Sequence, residues 1–401
     1  MILLRNVLIF TLLCWLASAQ AQVPAVPPAP KPDAKPTPVP APPTLGAKSY
    51  ILVDFDSQRV LIEENADLRV EPASITKLMT SYVVFKSLAD GKLSLDDTVA
   101  VSENAWRIGG SRMFIEPSMT PSVEELIHGM VIQSGNDACV ALAEHIAGSE
   151  EAFAGLMNHY AGEIGMTATH FTNSTGWPDE AHYTTARDIA RLSAAIIRDF
   201  PEYYAWYAQK EYTFNGIRQH NRNTLLWRDP SIDGLKTGHT EAAGYCLASS
   251  AIRDGMRLIS AVMGSASESS RASESQTLLN YGFRFFETVQ LYQARSELAR
   301  GKVWKGLADE VALGLAQPLF VTIPRGRYAE LEAKVEMQPA LSAPLPMDAV
   351  VGMITVSLGD ELVAQRELIT LDAIAPAGFF GRTWDGLMLW ADSWFADGDD
   401  G

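Results

Sequence analysis

The chain has 401 residues, of which 47% are hydrophobic and 9% aromatic, and this composition predicts a globular protein of two or three domains. Its formal net charge of −16 argues against a nucleic-acid-binding protein, because no basic stripe is available to neutralise phosphate groups.

Residues 1–21 have the pattern of an export signal. A positive charge at Arg5 precedes an apolar core over residues 7–16, and Ala19-Gln20-Ala21 offers a cleavage site between small residues. This core is too short to span a bilayer comfortably, so a cleaved signal peptide is favoured over a retained anchor. A lipoprotein modified at Cys14 is disfavoured, because Leu13 stands where a small residue is needed. We therefore expect an exported protein.

Residues 22–46 are rich in proline and alanine, which indicates a polyproline-like linker. The first packed domain is expected over residues 47–289. It opens with two strands at 50–54 and 59–63, joined by a hairpin turn at 56–58. A helix is then predicted to begin at Pro72, because the leucine, methionine, valine and aromatic residues after Lys77 supply a buried face.

The start of that helix carries the first chemical signal in the chain. Ser74 lies in the first turn and Lys77 follows three residues later, so both side chains share one face. The first-turn amides of a helix lack partners within it, which leaves the Ser74 N–H available to an anion. The segment offers a nucleophile, an amine base and half of an oxyanion hole, although a serine near a helix start is usually only a cap.

The middle of the domain is mainly helical. Helices are predicted from residue 120, over 139–146 and over 188–197, and strands at 245–252 and 256–263 form a hairpin. A closing helix is expected over 277–286. Strands at both ends of a helical block predict an α+β fold, in which an antiparallel sheet with flanking helices adjoins an all-helical lobe. Cys139 and Cys246 are interpreted as two small buried thiols in preference to a disulfide.

Short β-type runs dominate residues 290–377 and predict a small all-β domain; they cover 319–323, 333–337, 350–358 and 362–371. This region holds no cluster of histidine, cysteine or acidic residues, so a spacer or docking module is favoured over a second active site. The histidines of the whole chain are scattered without ligand spacing, and the sequence therefore suggests no metal site.

The terminal segment, residues 378–401, is expected to form an amphipathic helix followed by an acidic tail. At about 100° per residue its apolar side chains fall in one broad arc that includes Trp384, Trp390 and Trp394. Three tryptophans on a terminal helix predict insertion into a membrane interface, with docking on the chain's own domain as the alternative. Because the segment ends in several aspartates, aromatic burial is the only attraction expected.

Two further motifs carry chemistry. Ser134-Gly135-Asn136 follows a predicted helix, where the Ser134 hydroxyl is suited to pass a proton to a leaving amine and the Asn136 amide to orient Lys77 and hold a substrate carbonyl. Lys236-Thr237-Gly238 is predicted to begin a strand after a turn at Asp233-Gly234. On an edge strand, the glycine leaves space for an extended peptide and its two neighbours receive a carboxylate.

Together the three motifs give the chain a specific resemblance. Ser-x-x-Lys at Ser74, Ser-x-Asn at Ser134 and Lys-Thr-Gly at Lys236 resemble the penicillin-binding protein and serine β-lactamase superfamily. The longer strings at residues 72–80, 134–138 and 233–240 are similar to those of the low-molecular-mass D-alanyl-D-alanine carboxypeptidases, and the similarity runs from about residue 47 to the C-terminus.

This resemblance implies a serine-type D-Ala-D-Ala carboxypeptidase that removes the terminal D-alanine from peptidoglycan stem pentapeptides, binds penicillin covalently and needs no cofactor. It implies a role in cell-wall remodelling and cell shape, and a periplasmic location at the outer face of the inner membrane. In the family pattern Ser74 is the nucleophile, Lys77 its base and Ser134 the proton shuttle. The substrate-binding residues implied are Asn136, Lys236, Thr237, Gly238, His239 and Arg271, with the His239 N–H completing the oxyanion hole.

Three other predictions accompany the resemblance. Residues 171–178 correspond to the loop that forms the floor of the active site in related enzymes. His170 and His182 near this loop are expected to be structural, because a serine–lysine pair already supplies nucleophile and base. Arg271 lies in a serine-rich stretch interpreted as a loop, and it is expected to bind the terminal carboxylate of the substrate.

Two alternatives remain open from the sequence. A β-lactamase typically carries Ser-Asp-Asn as its second motif and a glutamate-bearing loop, but here Gly135 replaces the aspartate and residues 177–180 do not begin a Glu-x-x-x-Asn pattern. A non-catalytic wall-binding or penicillin-sensing module is the other alternative, and the intact Ser74 and Lys77 argue against it.

Overall fold

The computed structural model describes residues 38–378, together with Pro27 and Pro36. The predicted signal peptide and the predicted terminal helix from residue 379 onward lie outside the described residues. The chain divides into two compact units. Of the described residues, the larger unit comprises 36 and 38–288 with 322–326, and the smaller unit comprises 27, 289–321 and 327–378.

The larger unit is built on an antiparallel sheet. Its strands are β1 (Ser49–Asp54), β2 (Val60–Glu64), β3 (Glu211–Phe214), β4 (Ile217–His220), β5 (Ile232–Thr240), β6 (Gly244–Arg253) and β7 (Met256–Ser265). Five of them pair in the order β2-β1-β7-β6-β5, and β3 and β4 form a separate hairpin. Within the described chain β5 is therefore an edge strand, as predicted for the segment that carries Lys236.

The helices of the larger unit are α1 (Lys77–Ala89), α2 (Glu103–Arg107), α3 (Val123–Ile132), α4 (Asn136–Ala147), α5 (Glu150–Glu163), α6 (Ala186–Asp199), α7 (Pro201–Tyr204), α8 (Leu225–Arg228) and α9 (Glu268–Phe285). Their starts follow local capping chemistry. Ser122 and Glu125 form a reciprocal capping box that begins α3, and Thr185 caps α6 through the N–H of Asp188.

Both faces of the sheet are buried, because side chains alternate along each strand. Ile51 and Val53 of β1 belong to the core that holds α1 and α3–α6, whereas Tyr50 and Leu52 belong to a second core formed with α9. The helices therefore cover the sheet on both sides. This arrangement confirms the predicted α+β class.

Three details differ from the sequence-based predictions. Helix α9 begins at Glu268, before the predicted residue 277, because Ser267 accepts a hydrogen bond from the Ser270 N–H and caps it. Asp233 and Gly234 lie inside β5 at a register irregularity and do not form a turn before the strand. Packed chain also begins before residue 47, because Val39 and Leu45 contact the second core.

The smaller unit confirms the predicted all-β domain. Its strands are β8 (Phe286–Tyr292), β9 (Ala299–Trp304), β10 (Glu310–Gly314), β11 (Leu319–Pro324), β12 (Leu331–Met337), β13 (Leu341–Ser342), β14 (Val350–Leu358) and β15 (Glu361–Thr370). Six form a sheet in the order β12-β14-β15-β10-β9-β13, and β8 pairs with β11. The chain passes from one unit to the other within β8, between residues 288 and 289, and again within β11, between residues 321 and 322. Among the described residues, no helix is both long and apolar enough to cross a membrane.

Candidate active site

Ser74 and Lys77 meet where a short 3₁₀ turn, Ala73–Thr76, leads into α1. Lys77 is 1% exposed, and its amine donates three hydrogen bonds. They run to Ser74 Oγ at 2.9 Å, Asn136 Oδ1 at 2.8 Å and the Thr175 carbonyl at 2.7 Å. Three acceptors from separate segments therefore hold the amine beside the hydroxyl, and the predicted contacts of Lys77 with Ser74 and Asn136 are both present.

The environment of Lys77 favours its neutral form. Burial lowers the pKa of Lys77 to about 8, and the positive charge of Arg222 contributes in the same direction. An appreciable fraction of the amine is therefore unprotonated near neutral pH. A neutral amine accepts a proton along the line that joins it to Ser74 Oγ, so the pair has the geometry and the electrostatics of a nucleophile and its base.

Ser134 and Lys236 form a second hydroxyl–amine pair. Ser134 lies between α3 and α4 with a φ of 69°, and its Oγ accepts a hydrogen bond of 2.9 Å from Lys236 Nζ. Lys236 is 3% exposed and also donates to the Thr237 carbonyl at 2.9 Å. Burial lowers the pKa of Lys236, and the charge of Lys77 lowers it further. The second and third sequence motifs thus meet, although 102 positions separate them.

Residues 109–115 form a loop beside Ser74 that was not predicted from the sequence to belong to the site. The backbone N–H of Asn136 donates to the Ser111 carbonyl at 2.7 Å, and its side-chain Nδ2 donates to the Gly109 carbonyl at 2.8 Å. The buried carboxylate of Asp137 accepts hydrogen bonds from the N–H groups of residues 113, 114 and 115. Asn136 and Asp137 therefore anchor residues 109–115 beside Ser74.

Strand β5 runs directly against the Ser74 turn at Gly238. A Cβ atom at this position would lie 2.9 Å from the Pro72 carbonyl oxygen and 3.1 Å from the Ile75 nitrogen. Any larger residue would therefore push the strand and the turn apart. The glycine of Lys-Thr-Gly is thus required by the close approach of two backbones, in addition to any space it leaves for a ligand.

The predicted floor of the site, residues 171–178, contacts the same turn. The carbonyl of Thr175 binds Lys77, and a Cβ atom on Gly176 would lie 1.8 Å from the Ala73 carbonyl oxygen. Asn173 Oδ1 holds the loop by accepting hydrogen bonds from the N–H groups of residues 175, 176 and 177. The backbone of this loop is thereby fixed next to Ser74.

The two histidines near this loop make structural contacts. His182 Nε2 lies 2.8 Å from Thr76 Oγ1, and its Nδ1 accepts a hydrogen bond of 3.1 Å from the Thr172 N–H. Burial lowers the pKa of His182 to about 4, so the ring is neutral and its Nε2–H donates to Thr76. His170 Nδ1 lies 2.7 Å from the Ala181 carbonyl. His182 therefore ties the floor of the site to the turn that carries Ser74.

Two cavities open beside Ser74, and Ser74, Ser111 and His239 line both of them. The first, which we call the Trp177 cavity, has a volume of about 300 Å³ and is also lined by Gly110, Asn136, Thr175, Gly176, Trp177, Pro178 and Thr240. The second, which we call the arginine cavity, has a volume of about 360 Å³ and is also lined by Ser134, Arg222, Thr237, Gly238, Tyr245, Glu268 and Arg271.

The two arginines of the arginine cavity differ in their surroundings. Arg271 lies in the first turn of α9, which corrects its predicted position in a loop. It is 5% exposed and donates to the Gly238 carbonyl at 3.3 Å and to Glu268 at 3.2 Å. Burial lowers the pKa of Arg271. Arg222 is exposed, and it is not among the site residues predicted from the sequence.

A local signal does mark Arg222. Buried Asn221 and Asn223 flank it, and Asn223 donates to the Gly234 carbonyl of β5 at 3.1 Å. Asn221 Nδ2 donates to the Gln209 carbonyl at 2.9 Å and its Oδ1 accepts from the Asn223 N–H at 2.9 Å. The hydrogen bonds of the two buried asparagines thus fix the backbone on both sides of Arg222.

Both described cysteines are free and buried, which confirms their interpretation as thiols. Burial raises the pKa of Cys139 to about 12 and that of Cys246 to about 11. Both thiols are therefore protonated at neutral pH, and neither serves as a nucleophile beside Ser74.

Comparisons with known proteins agree with this geometry. The D-alanyl-D-alanine carboxypeptidase family matches residues 36–267, and the C-terminal domain of penicillin-binding protein 5 matches residues 286–375. The chain is 46% identical to D-alanyl-D-alanine carboxypeptidase DacA of Escherichia coli over 361 residues, which cover 88% of this chain and 90% of that protein. It is also 46% identical to DacC of the same organism over 366 residues, covering 88% and 92% of the two chains.

Among solved structures, penicillin-binding protein 5 of Haemophilus influenzae superposes with a TM-score of 0.81 and 41% sequence identity. The superposition covers 84% of this chain and 99% of that one. Sequence, family match and fold thus point to one assignment. The chain belongs to the D-alanyl-D-alanine carboxypeptidase family of serine penicillin-binding proteins.

Proposed function

We propose that this carboxypeptidase removes the terminal D-alanine of peptidoglycan stem peptides through an acyl-enzyme on Ser74. Lys77 takes the proton of the Ser74 hydroxyl while Oγ bonds to the carbonyl carbon of the penultimate D-alanine. The C–N bond then breaks, the proton that Lys77 took is passed through Ser134 to the departing amine, and free D-alanine leaves. Water hydrolyses the remaining ester and restores Ser74.

The charges around Ser74 support binding of the peptide with its terminal carboxylate in the arginine cavity. Arg222 and Arg271 line the arginine cavity together with Thr237, and guanidinium groups bind carboxylates in bidentate fashion. The terminal carboxylate of the peptide binds there. The developing oxyanion is held between the N–H groups of Ser74 and His239, where Gly238 keeps β5 close to the turn.

One observation carries the proposal: the amine of a lysine that is 1% exposed lies 2.9 Å from a serine hydroxyl. Burial without a carboxylate partner is costly for a lysine. The three acceptors of the Lys77 amine are a hydroxyl, an amide oxygen and a backbone carbonyl. This environment is suited to an amine that acts as a base.

Release of D-alanine from a peptide that ends in D-Ala-D-Ala tests the proposal. Wild-type protein is expected to release one D-alanine per peptide, and Ser74→Ala and Lys77→Ala are expected to lower kcat/KM by at least about a thousandfold. Ser87→Ala is the matched control, because Ser87 lies on the same helix and its hydroxyl donates to the Val83 carbonyl at 2.9 Å. Full activity in Ser74→Ala would refute the proposal.

Penicillin is expected to acylate the same hydroxyl, because its strained amide and carboxylate have the arrangement of D-Ala-D-Ala. The protein is further proposed to be exported and attached to the outer face of the inner membrane, in keeping with a role in cell-wall remodelling and cell shape. The sequence patterns of residues 1–21 and 378–401 support this location.

Truncation tests the membrane attachment. Deletion from Trp384 onward is expected to move the protein from the membrane pellet to the soluble fraction, because the three terminal tryptophans supply the attraction. Replacement of the terminal aspartates by asparagine is the control and is expected to leave it in the pellet. Unchanged sedimentation of the truncated protein would refute the anchor.

A further inference from the structure

We propose that Glu150 is a positioning residue that acts on the base Lys77 through Ser174. Its carboxylate holds Ser174, and Ser174 fixes the position of the neighbouring Thr175 carbonyl, which binds the lysine amine. This inference rests on the proposed function, in which Lys77 is the base. Glu150 lines neither the Trp177 cavity nor the arginine cavity, so it acts on the catalytic centre from behind the floor of the site.

Glu150 is presented from a rigid element, because it is the first residue of α5. Ser149 caps this helix by accepting a hydrogen bond of 3.1 Å from the Ala152 N–H. Phe153 and Met157 of the same helix are fully buried in the core that also holds α1. The backbone of Glu150 is therefore fixed, and its half-buried side chain faces the floor of the site.

The polar groups of Ser174 are all bound. Its N–H donates to Glu150 Oε1 at 3.0 Å, and its hydroxyl donates to the same oxygen at 2.6 Å. Its carbonyl accepts a hydrogen bond of 2.6 Å from Thr80 Oγ1. Because Ser174 and Thr80 are both fully buried, water cannot replace these partners. Loss of the carboxylate would leave two buried donors without their acceptor, so Ser174 would shift.

Two consecutive carbonyls of the floor bind side chains of α1. The Ser174 carbonyl binds Thr80, and the Thr175 carbonyl accepts the 2.7 Å hydrogen bond from Lys77 Nζ. Lys77 and Thr80 are three residues apart, so their side chains share one face of the helix. A rigid peptide plane joins Ser174 to Thr175, and a shift of the first carbonyl therefore moves the second. The acceptor that holds the amine of Lys77 thus depends on what holds Ser174.

Glu150 also contributes a charge to the surroundings of Lys77. Burial and the charge of Arg222 lower the pKa of Lys77, whereas the carboxylate of Glu150 raises it. The other titratable groups that act on Lys77 belong to α4 and β5, and they are Asp137, Cys139 and Lys236. Glu150→Gln removes the charge and keeps an acceptor oxygen, so this variant separates the effect of the charge from that of the hydrogen bonds.

Stopped-flow acylation of Ser74 by a chromogenic cephalosporin tests the inference. Glu150→Ala is expected to lower the acylation rate constant at saturating cephalosporin about tenfold and to change the dissociation constant of the first complex by less than about twofold. Glu150→Gln is expected to retain most of the rate, because its amide oxygen accepts the same hydrogen bonds. The inflection of its pH–rate profile is expected to move to lower pH, since the charge that raises the pKa of Lys77 is absent.

Glu151→Ala is the matched control, because Glu151 is the next residue of α5 and is exposed. It is expected to keep the wild-type rate and profile. Ser174→Ala is expected to slow acylation less than Glu150→Ala, because it removes only one of the two donors. In the Glu150→Ala background it is expected to add little, since the contact is already lost. Thermal unfolding of every variant separates slower acylation from a loss of folded protein.

Three results would overturn the inference: wild-type acylation by Glu150→Ala, fully additive effects of Glu150→Ala and Ser174→Ala, or a Glu150→Gln inflection that does not move to lower pH. Should Glu150→Ala fail to fold, the rate of Ser174→Ala and the profile of Glu150→Gln provide the test. Failure of the wild-type protein to form an acyl-enzyme and to release D-alanine would instead overturn the proposed function.

Discussion

The amine of Lys77 lies 2.9 Å from the hydroxyl of Ser74, at a position where only 1% of the lysine is exposed. The two residues reach this arrangement because a 3₁₀ turn ends as α1 begins, so that a nucleophile and its base are three residues apart on one face. The amine is held by two further acceptors from distant segments. The proposed mechanism therefore makes catalysis depend on the protonation state of one buried lysine.

A pH–rate profile tests that dependence. Burial lowers the pKa of Lys77 from its ordinary value of 10.5 to about 8, and only the neutral amine accepts the Ser74 proton. The rate of acylation is therefore expected to rise about tenfold per pH unit below that pKa and to level off above it. Stopped-flow measurement of acylation by a chromogenic β-lactam checks this. An inflection above pH 10 would show that the pKa of Lys77 is not lowered by its surroundings.

Replacement of Arg222 is expected to change both the profile and the affinity. Its positive charge lowers the pKa values of Lys77 and Lys236, so Arg222→Gln is expected to move the inflection of the profile to higher pH. The loss of a charged partner for the terminal carboxylate is also expected to lower kcat/KM about tenfold. Arg228→Gln, a change at an exposed arginine outside both cavities, is the control. Identical pH–rate profiles for the two variants would show that the charge of Arg222 does not lower the pKa of Lys77.

Gly176 and Gly148 form a matched pair for testing the packing of the floor against the Ser74 turn. Both have a φ near 80°, but a Cβ atom at residue 176 would lie 1.8 Å from the Ala73 carbonyl oxygen, and one at residue 148 would meet nothing within 4 Å. Gly148→Ala is expected to cost only about 1 kcal/mol from backbone strain. Gly176→Ala is expected to cost about 2 kcal/mol more and to abolish acylation.

Thermal unfolding of the two glycine variants, together with their penicillin acylation rates, provides the comparison. Equal stability of the pair, with acylation intact in Gly176→Ala, would show that the contact between the floor and the turn is not required.

His182 is expected to make the protein less stable in mild acid. Its folded pKa of about 4 lies below the ordinary value of 6.5, so the unfolded chain binds more protons between these values. Its contribution to stability is complete above about pH 6.5 and is lost as the pH falls to about 4, by at most roughly 3 kcal/mol.

Denaturant unfolding of wild type and His182→Gln between pH 4 and 7 checks this expectation. The variant is expected to be less stable at neutral pH and to show a shallower loss of stability in acid, because glutamine does not titrate. Parallel curves for the two proteins would show that His182 is already protonated or free to titrate normally.

Much of the catalytic centre was predictable because its parts are short sequence motifs. Ser74 with Lys77, Ser134 with Asn136, and the Lys236 strand were each identified from local residue types, and the structure brings them together through contacts of 2.9 Å or less. Helix and strand periodicity likewise predicted the α+β class and the separate β domain.

The remaining parts depend on contacts that no local pattern shows. Arg222 reaches the arginine cavity only because Asn223 binds the backbone of β5, and residues 109–115 join the site only because Asp137 binds their amides. Serine and glutamate dominate residues 265–276 and predict a loop around Arg271, but Ser267 caps a helix there. A serine-rich stretch is ambiguous, since the same residues favour turns and helix starts.

Peptide mapping after incubation with benzylpenicillin tests whether the Ser74 hydroxyl is the nucleophile. We expect a single covalent adduct per chain, on the peptide that contains Ser74, and its complete absence from Ser74→Ala. An adduct that maps to another residue, an adduct that persists in Ser74→Ala, or no adduct on the wild-type protein would contradict the assignment of Ser74 as the nucleophile.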